Sequence, residues 1–216
     1  MVSVKAYKLG PLKTNCYLIE DLNTNKKAIV DPGGISKALD EEILKNKEEN
    51  FSYILLTHGH FDHIRKAQRY RDLTKAKIVI SKDEKEFTKD SSLNLSKDFG
   101  RKAVEPFEAD ILVEDKETIN LGDTKIKVLK TSGHTKGSVC YILENCIFSG
   151  DTLMKGSVGR MDLATGCEKD MINSIKKIDS LKGNFIIYPG HGEFTDLDYE
   201  RKNNIYFRKD INDFIR

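Results

Sequence analysis

Features of membrane-bound and exported proteins are missing from this sequence. It has no apolar run of about 18 residues, the length at which a segment becomes a candidate transmembrane helix. The first 11 residues alternate apolar with polar side chains and lack the continuous apolar core of a secretory signal. We therefore expect a cytoplasmic protein that has no membrane partner.

Charge of one sign is missing as well. The 36 lysines and arginines are interleaved with 34 aspartates and glutamates, and the formal net charge is only +2. A nucleic-acid-binding domain concentrates basic side chains on one face, whereas this composition describes a solvated surface of mixed sign. We expect no nucleic-acid partner.

Cysteine is scarce and shows no functional spacing. The four cysteines are unevenly spaced, at positions 16, 140, 146 and 167, and form no C-x-x-C pair. Because no secretory signal precedes them, the sequence predicts free, buried thiols in a reducing compartment.

Histidine is also scarce, but its five positions form a pattern. His58, His60 and His63 fall within the segment THGHFDH at 57–63, His134 falls within SGHT, and His191 falls within PGHG. The neutral imidazole is the commonest metal ligand among side chains. Neighbouring glycines permit tight backbone paths that bring several rings together. The pattern indicates a metal centre.

Short β-prone runs alternate along the chain with segments of helical periodicity. Strands are predicted at 2–9, 15–19, 27–30, 51–56, 77–80, 111–113, 117–121, 125–129, 139–143, 146–148 and 185–188. Helices are predicted at 35–49, 62–73, 170–181 and 197–215, and residues 91–110 indicate a long loop. A further helix start is predicted at 81–84, with Ser81 as N-cap and Glu84 completing the motif. No linker interrupts the pattern, so we expect one α/β (α+β) domain over residues 1–216.

Several candidate ligands lie just after predicted strands. They are His58, His134, Asp151 and His191. Loops that leave a rigid sheet commonly carry functional side chains. The sequence therefore predicts that these residues meet at strand ends.

The spacing H-x-H-x-D-H indicates more than one ion. His58 and His60 can point the same way from an extended loop and reach one ion. Asp62 and His63, at the turn into a helix, can project toward another. Together with the later ligands, these donors exceed the set that one tetrahedral ion needs. They suit two ions that share a bridging carboxylate.

Five ordered motifs resemble the signature of the metallo-β-lactamase superfamily. They are DPG at 31–33, THGHFDH at 57–63, GHT at 133–135, SGDT at 149–152 and PGHG at 189–192. The resemblance implies a four-layer αβ/βα sandwich with metal ions at one edge, between two sheets.

The resemblance also implies a ligand set for two divalent ions, with zinc foremost and iron or manganese as alternatives. The implied ligands are His58, His60 and His134 for the first ion, Asp62, His63 and His191 for the second, and Asp151 bridging both. The implied nucleophile is a hydroxide between the ions, oriented by Asp62.

Departures from other branches of the superfamily narrow the implied activity. Class B β-lactamases commonly carry cysteine where Asp151 stands, and diiron flavoproteins carry glutamate where His60 stands. The segment KGSVGRMDL at 155–163 resembles a loop of small bacterial glyoxalase II-like proteins. We expect a hydrolase for a small-molecule thioester of the S-2-hydroxyacyl (hydroxyacylglutathione-like) type, not for an antibiotic. The motif GHGE at 190–193 differs from the GHE of glyoxalase II, which leaves the carrier thiol open.

Two other functions stay open at this point. A mononuclear iron persulfide dioxygenase has similar motifs and uses two histidines and one aspartate for its iron. A metal-bound scaffold without activity is disfavoured, because ligands for both ions are intact.

Residues around the expected centre have less specific roles. Asp31 is expected to hold loop backbone beneath the metals rather than to bind one. The candidates for either substrate contact or ordinary loop structure are Phe99, Arg101, Lys102, Phe107, Arg160 and Asp162.

Overall fold

Two six-stranded sheets form the centre of the computed structural model, which describes residues 1–46 and 50–208. The first sheet contains, from edge to edge, β1 (Val2–Leu9), β2 (Thr14–Asp21), β3 (Lys26–Val30), β4 (Phe51–Leu55), β5 (Lys77–Ser81) and β6 (Ile111–Val113). Turns join β1, β2 and β3 in antiparallel pairs. From β3 to β6 the pairs are parallel, because longer crossovers return the chain to the same end.

The second sheet begins as an antiparallel meander. Its edge-to-edge order is β14 (Thr195–Asp196), β13 (Ile186–Pro189), β10 (Cys146–Gly150), β9 (Val139–Leu143), β8 (Thr124–Lys130) and β7 (Thr118–Leu121). β13 lies parallel to β10 after a crossover through helix α4 (Glu168–Asp179). Between β10 and α4, β11 (Leu153–Met154) and β12 (Ser157–Val158) form a small hairpin.

Helices cover the outer faces of both sheets. Besides α4 they are α1 (Lys37–Leu44), α2 (Phe61–Ile64), α3 (Ala67–Thr74), α5 (Leu197–Asn203) and the 3₁₀ helices Lys82–Thr88 and Ile205–Phe207. Within the described residues, no helix has both the length and the apolar character needed to cross a bilayer.

Three apolar layers hold these elements together. Tyr17 and Leu55 of the first sheet meet Tyr141 and Phe148 of the second in a buried core between the sheets. Separate apolar clusters lie between the first sheet and α1 to α3, and between the second sheet and α4 and α5. Strand alternation explains this division, since successive side chains point to opposite faces. The four-layer αβ/βα sandwich implied by the sequence is therefore confirmed.

The predicted strands are confirmed to within a few residues, but the helices predicted at 35–49 and 197–215 are shorter and the one at 62–73 is divided. The segment 62–73 splits into α2 and α3, because the Lys66 amide donates to the Pro32 carbonyl instead of continuing the helix. Within the segment 197–215, α5 ends before Asn204, whose backbone is extended. The Asn204 side chain accepts from the Tyr206 amide and thereby caps the 3₁₀ helix Ile205–Phe207. Residues 47–49 and 209–216, at the ends of two predicted helices, lie outside the described residues.

The helix start predicted at 81–84 is wrong in its details. Residues Lys82–Thr88 form a 3₁₀ helix, and the Ser81 side chain makes no capping hydrogen bond. Glu84 is fully buried, and its carboxylate accepts from the amides of Gly59 and Gly137. The local capping pattern therefore did not predict the long-range hydrogen-bond partners of the Glu84 carboxylate.

Candidate metal centre

Seven predicted ligands meet at one edge of the sandwich, between the two sheets. They come from the loop after β4, the start of α2, the β8–β9 loop, and the ends of β10 and β13. Three groups among them have potential ligand atoms within 4.8 Å of one another: His58, His60 and His134; His58, His63 and Asp151; and Asp62, His63 and His191. The sequence therefore identified residues that the fold brings together from across the chain.

The first group, named here the three-histidine site, consists of His58, His60 and His134. Nδ1 of His60 lies 2.8 Å from Nε2 of His134. The ring centroid of His58 lies 4.8 Å from those of both other histidines. All three side chains are buried, so this group presents imidazole nitrogens to one small volume shielded from bulk water.

The second site consists of Asp62, His63 and His191. Oδ2 of Asp62 lies 3.2 Å from Nε2 of His191 and 3.5 Å from Nε2 of His63. His63 is fully buried, whereas His191 is about one-quarter exposed. This group therefore faces the solvent more openly than the three-histidine site.

Asp151 lies between the two sites. Its Oδ1 is 3.5 Å from Nε2 of His63, and its Oδ2 is 3.5 Å from Nε2 of His134 and 3.7 Å from Nε2 of His191. One carboxylate thus reaches ligand atoms of both groups. This is the position that the bridging role predicted for Asp151 requires.

Asp31 lies beneath the centre and fixes two of the imidazole rings. Its carboxylate accepts from the Thr57 amide at 2.8 Å and from the Thr57 hydroxyl at 2.7 Å. It also contacts Nδ1 of His63 at 2.9 Å, while Oγ1 of Thr57 lies 3.1 Å from Nδ1 of His58. These partners favour the proton on Nδ1 of both rings and leave their Nε2 lone pairs toward the centre. The expected supporting role of Asp31 is confirmed by these contacts.

The β12–α4 segment orients the third ring in the same way. Nδ1 of His134 lies 2.7 Å from the Arg160 carbonyl oxygen, which can only accept. The Arg160 guanidinium itself pairs with Asp162 through two 2.7 Å hydrogen bonds. Arg160 therefore supports the centre through its backbone, while Asp162 supports Arg160.

Unpaired buried atoms test whether a metal fits this site. Among the described residues, Nε2 of His58, Nε2 of His63 and Oδ1 of Asp151 are buried without a hydrogen-bond partner. Such atoms are costly to leave unsatisfied. Imidazole nitrogens and carboxylate oxygens are suitable ligands for zinc, iron and manganese. The residues present fit a divalent metal.

Burial and neighbouring charges set the protonation states at the centre. Burial, reinforced by nearby His134 and His63, lowers the pKa of His60 to about 3. The pKa of His58 is also well below its usual value, for the same kind of reason. Burial alone would raise the pKa of Asp62, but His63 and hydrogen bonds from His191 and Thr14 lower it. Neutral imidazoles and an ionised carboxylate are the forms that bind metals.

His63 differs from the other buried histidines. Burial lowers its pKa, but the carboxylates of Asp62, Asp151 and Asp31 outweigh burial and raise it to about 10. Without a metal, a proton on His63 therefore offsets part of the surrounding negative charge. A metal cation would take over this electrostatic role and require His63 to lose its proton.

A groove of about 580 Å³ opens over the centre. Its apolar lining consists of Leu12, Phe61, Leu95, Phe99, Met154 and Leu163. Leu12 and Phe99 are more than half exposed, at 53% and 62%. Large apolar side chains exposed beside a polar centre are typical of a binding site for a small molecule.

The long loop supplies only part of this groove. Phe99 lines it, as considered from the sequence, while Arg101 lines a smaller adjoining cavity. Phe107 is buried in the core, and Lys102 pairs with Glu105 on the surface. Of these four residues, Phe99 is therefore the one that lines the groove over the centre.

Several supporting residues had no signal in the sequence. Thr14 donates to Asp62, and Asn15 donates through its side chain to the carbonyls of Pro189 and Gly192, on either side of His191. These contacts span from 48 to 177 positions in the chain. Only the pairing of β2 into the first sheet brings these side chains to the centre.

An αβ/βα sandwich with adjoining histidine and aspartate clusters at one edge defines a class of metal-dependent proteins. The family model of the metallo-β-lactamase superfamily matches residues 9–191. The chain belongs to this superfamily. The resemblance proposed from the sequence motifs is thus confirmed.

Known relatives include hydrolases of comparable length. The probable metallo-hydrolase YqgX of Bacillus subtilis is 33% identical over 199 residues, which cover 91% of this chain and 93% of YqgX. The hydroxyacylglutathione hydrolase GloC of Haemophilus influenzae is 30% identical over 207 residues, covering 94% and 97%.

Solved structures extend the comparison to metal content and to a β-lactamase. BLEG-1, a B3 metallo-β-lactamase, has a TM-score of 0.88 and 32% identity, covering 96% of this chain and all of the other. TTHA1623, solved in a di-iron-bound form, has a TM-score of 0.81 and 28% identity, covering 93% and 98%. The similarity to BLEG-1 makes a β-lactam a necessary comparison in any assay, although Asp151 led us to expect no antibiotic hydrolysis.

Proposed function

We propose that this protein is a dinuclear metal-dependent hydrolase that cleaves a small-molecule thioester. The observation that carries the proposal is the position of Asp151, whose two oxygens face ligand atoms of both sites. The similarity to GloC, a hydroxyacylglutathione hydrolase, supports an S-2-hydroxyacyl thioester as substrate.

We assign the ligands as the sequence motifs suggested. The three-histidine site would hold one ion, the second site would hold the other, and Asp151 would contact both. Bound divalent metals lower the pKa of water toward neutrality and stabilise developing negative charge on a carbonyl oxygen. Zinc is our first choice, with iron or manganese as alternatives, because this mixed nitrogen and oxygen ligand set suits all three.

Asp62 has a second role in the proposal. Its low pKa keeps the carboxylate ionised at neutral pH, so it can accept a hydrogen bond from the attacking water and orient it. Thr14 donates to Oδ2 of Asp62 and restricts its rotation. In the overall reaction, the water oxygen bonds to the carbonyl carbon, the C–S bond breaks, and a carboxylic acid and a free thiol are released.

The groove would hold the remainder of the substrate. Its apolar walls, with Leu12 and Phe99 at the mouth, exclude water from the acyl group and favour one orientation of the carbonyl. Arg160 also lines the groove, but its pairing with Asp162 partly neutralises its charge. The lining that remains free to contact the substrate is therefore mainly apolar.

A substrate panel tests the proposal. Metal-free protein, the same protein reloaded with Zn²⁺, and Asp62→Asn are assayed for thiol release from a 2-hydroxyacyl glutathione thioester. Asp198→Asn is the matched control, because Asp198 is an exposed carboxylate that pairs with Arg201. We expect reloading to restore activity and Asp62→Asn to lower kcat by about 100-fold or more.

The panel also includes the competing functions. A β-lactam tests the activity of BLEG-1, and a persulfide with an oxygen electrode tests the dioxygenase alternative. If the protein binds one iron per chain, consumes oxygen with the persulfide and does not hydrolyse the thioester, the dioxygenase function replaces our proposal. Turnover of the β-lactam alone would replace thioester by β-lactam hydrolysis.

A further inference from the structure

Glu84 is a buried carboxylate that joins two loops of the metal centre. It lies on the 3₁₀ helix Lys82–Thr88, which follows β5, and its side chain is fully buried. Its Oε2 accepts from the Gly59 amide at 2.8 Å, and its Oε1 accepts from the Gly137 amide at 2.8 Å. Neither of these contacts belongs to the ligand set.

The two amides belong to the loops that supply the three-histidine site. Gly59 lies between His58 and His60, and Gly137 lies three residues after His134. Each carboxylate oxygen therefore accepts from a different loop. The positions of Oε1 and Oε2 are fixed relative to each other by covalent geometry, so the carboxylate sets how far apart the two loops lie.

Close packing at both glycines supports this role. A Cβ added to Gly59 would lie 2.2 Å from Cβ of Phe87 and 3.0 Å from Oε2 of Glu84. A Cβ added to Gly137 would lie 2.7 Å from Cγ and Oε1 of Glu84. Neither glycine has a positive φ, so the requirement for glycine here is space for the 3₁₀ helix rather than an unusual backbone conformation.

We propose that Glu84 is a positioning residue for the three-histidine site and determines its metal affinity. The inference rests on the proposed metal-binding role of His58, His60 and His134. A carboxylate can accept both amide hydrogens, whereas the amide of a glutamine offers one acceptor oxygen and an NH₂ group that only donates. In Glu84→Gln, one of the two buried amides therefore loses its acceptor and faces a donor, which pushes the two loops apart.

A site-selective measurement tests the proposal. In His191→Ala the three-histidine site stays intact, and in His134→Ala the second site stays intact. Glu84→Gln is added to each background, and Zn²⁺ affinity is measured by chelator competition. We expect the affinity to fall about 10- to 100-fold in the His191→Ala background and to change less than about threefold in the His134→Ala background.

Asp21 provides a matched control at a distance from the centre. It is also fully buried, and its carboxylate accepts from the amides of Asn23 and Thr24 in one turn and Asp123 and Thr124 in another. Asp21→Asn therefore also removes one acceptor oxygen from a buried carboxylate that joins two segments of the chain. We expect it to lower the melting temperature of the metal-free protein and to leave Zn²⁺ affinity unchanged in both backgrounds.

The outcomes separate this inference from the proposed function. Equal loss of affinity in both backgrounds, or no loss in either, would overturn the positioning role while leaving the ligand assignment intact. A wild-type protein that binds no Zn²⁺ at all would overturn the ligand assignment itself. If Glu84→Gln fails to fold, Glu84→Asp is used in its place, because it keeps a carboxyl group on a side chain too short to reach both amides.

Discussion

The Thr14 hydroxyl donates a 2.7 Å hydrogen bond to Oδ2 of Asp62. Thr14 begins β2 and Asp62 lies in α2, so the contact links the first sheet directly to the second site. Oδ2 also faces the Nε2 atoms of His63 and His191. Thr14 therefore holds the oxygen of Asp62 that lies nearest to the other ligands.

Replacing Thr14 by valine should weaken metal binding at the second site. Valine keeps the shape of the side chain but removes the donor, and loss of such a supporting contact typically costs about 10- to 100-fold in metal affinity. We expect this loss in a His134→Ala background, measured by chelator competition. Thr14→Ser, which keeps the hydroxyl, should retain most of the affinity; equal losses for valine and serine would contradict the role of the hydrogen bond.

Removing Asp151 should affect both metals, whereas removing His191 should affect mainly one. Asp151 faces ligand atoms of both sites, whereas His191 belongs to the second site alone. Elemental analysis should therefore find loss of both ions in Asp151→Ala and loss of about one in His191→Ala. Asp198→Ala serves as a control, because Asp198 is an exposed carboxylate that pairs with Arg201 and does not belong to the centre. Two ions retained in Asp151→Ala would disprove the bridging role.

The metal-free protein should be most stable near neutral pH. His60 has a folded pKa of about 3, below its ordinary value of 6.5. Below pH 6.5 the unfolded chain therefore takes up a proton that folded His60 does not, and the free energy of unfolding falls as pH is lowered toward about 3. His63, with a folded pKa of about 10, contributes stability below pH 6.5 that is lost as pH rises toward about 10.

Denaturant unfolding of the metal-free protein at several pH values measures this dependence. His60→Gln should reduce the slope of the free energy of unfolding against pH between about pH 4 and 6.5. His63→Gln should reduce the opposite slope between about pH 7 and 10. His58 also contributes on the acidic side, so His60→Gln is expected to leave a residual slope. Unchanged slopes in both variants would show that the charges around these rings have been misassigned.

Polar substitutions at the mouth of the groove should weaken substrate binding more than they lower the rate of the chemical step. Leu12 and Phe99 line the groove but contribute no candidate metal ligand. We expect the double variant Leu12→Ser/Phe99→Ser to raise KM for the thioester about tenfold, a loss of about 1.4 kcal/mol, with little change in kcat. Leu44→Ser, at an exposed leucine at the end of α1, is the control. An unchanged KM would exclude this groove as the substrate site.

The sequence predicted the strands, and the candidate ligands that the fold brings together, because their signals are local. Alternation in residues such as those of β8, and the motif that contains His58 and His60, can be recognised within a few positions. The order of the motifs along the chain then implied the sandwich. No such local signal distinguished Thr14, whose partner Asp62 is 48 positions away.

The same limit explains the errors. Residues 81–84 matched a helix-capping pattern, yet Glu84 accepts from the amides of Gly59 and Gly137, which lie 25 and 53 positions away in the chain. The helix predicted at 62–73 is interrupted because Lys66 donates to Pro32, a partner from the loop after β3. Tertiary hydrogen bonds decided both cases, and periodicity within a segment does not reveal them.

The metal content of the wild-type protein tests the central claim most directly. Metal-free protein is titrated with Zn²⁺, freed of excess ion by gel filtration, and analysed for metal and protein in the same fractions. Two sites that share Asp151 predict a plateau at two ions per chain. A plateau at one ion, or no retained metal at neutral pH, would contradict the dinuclear centre.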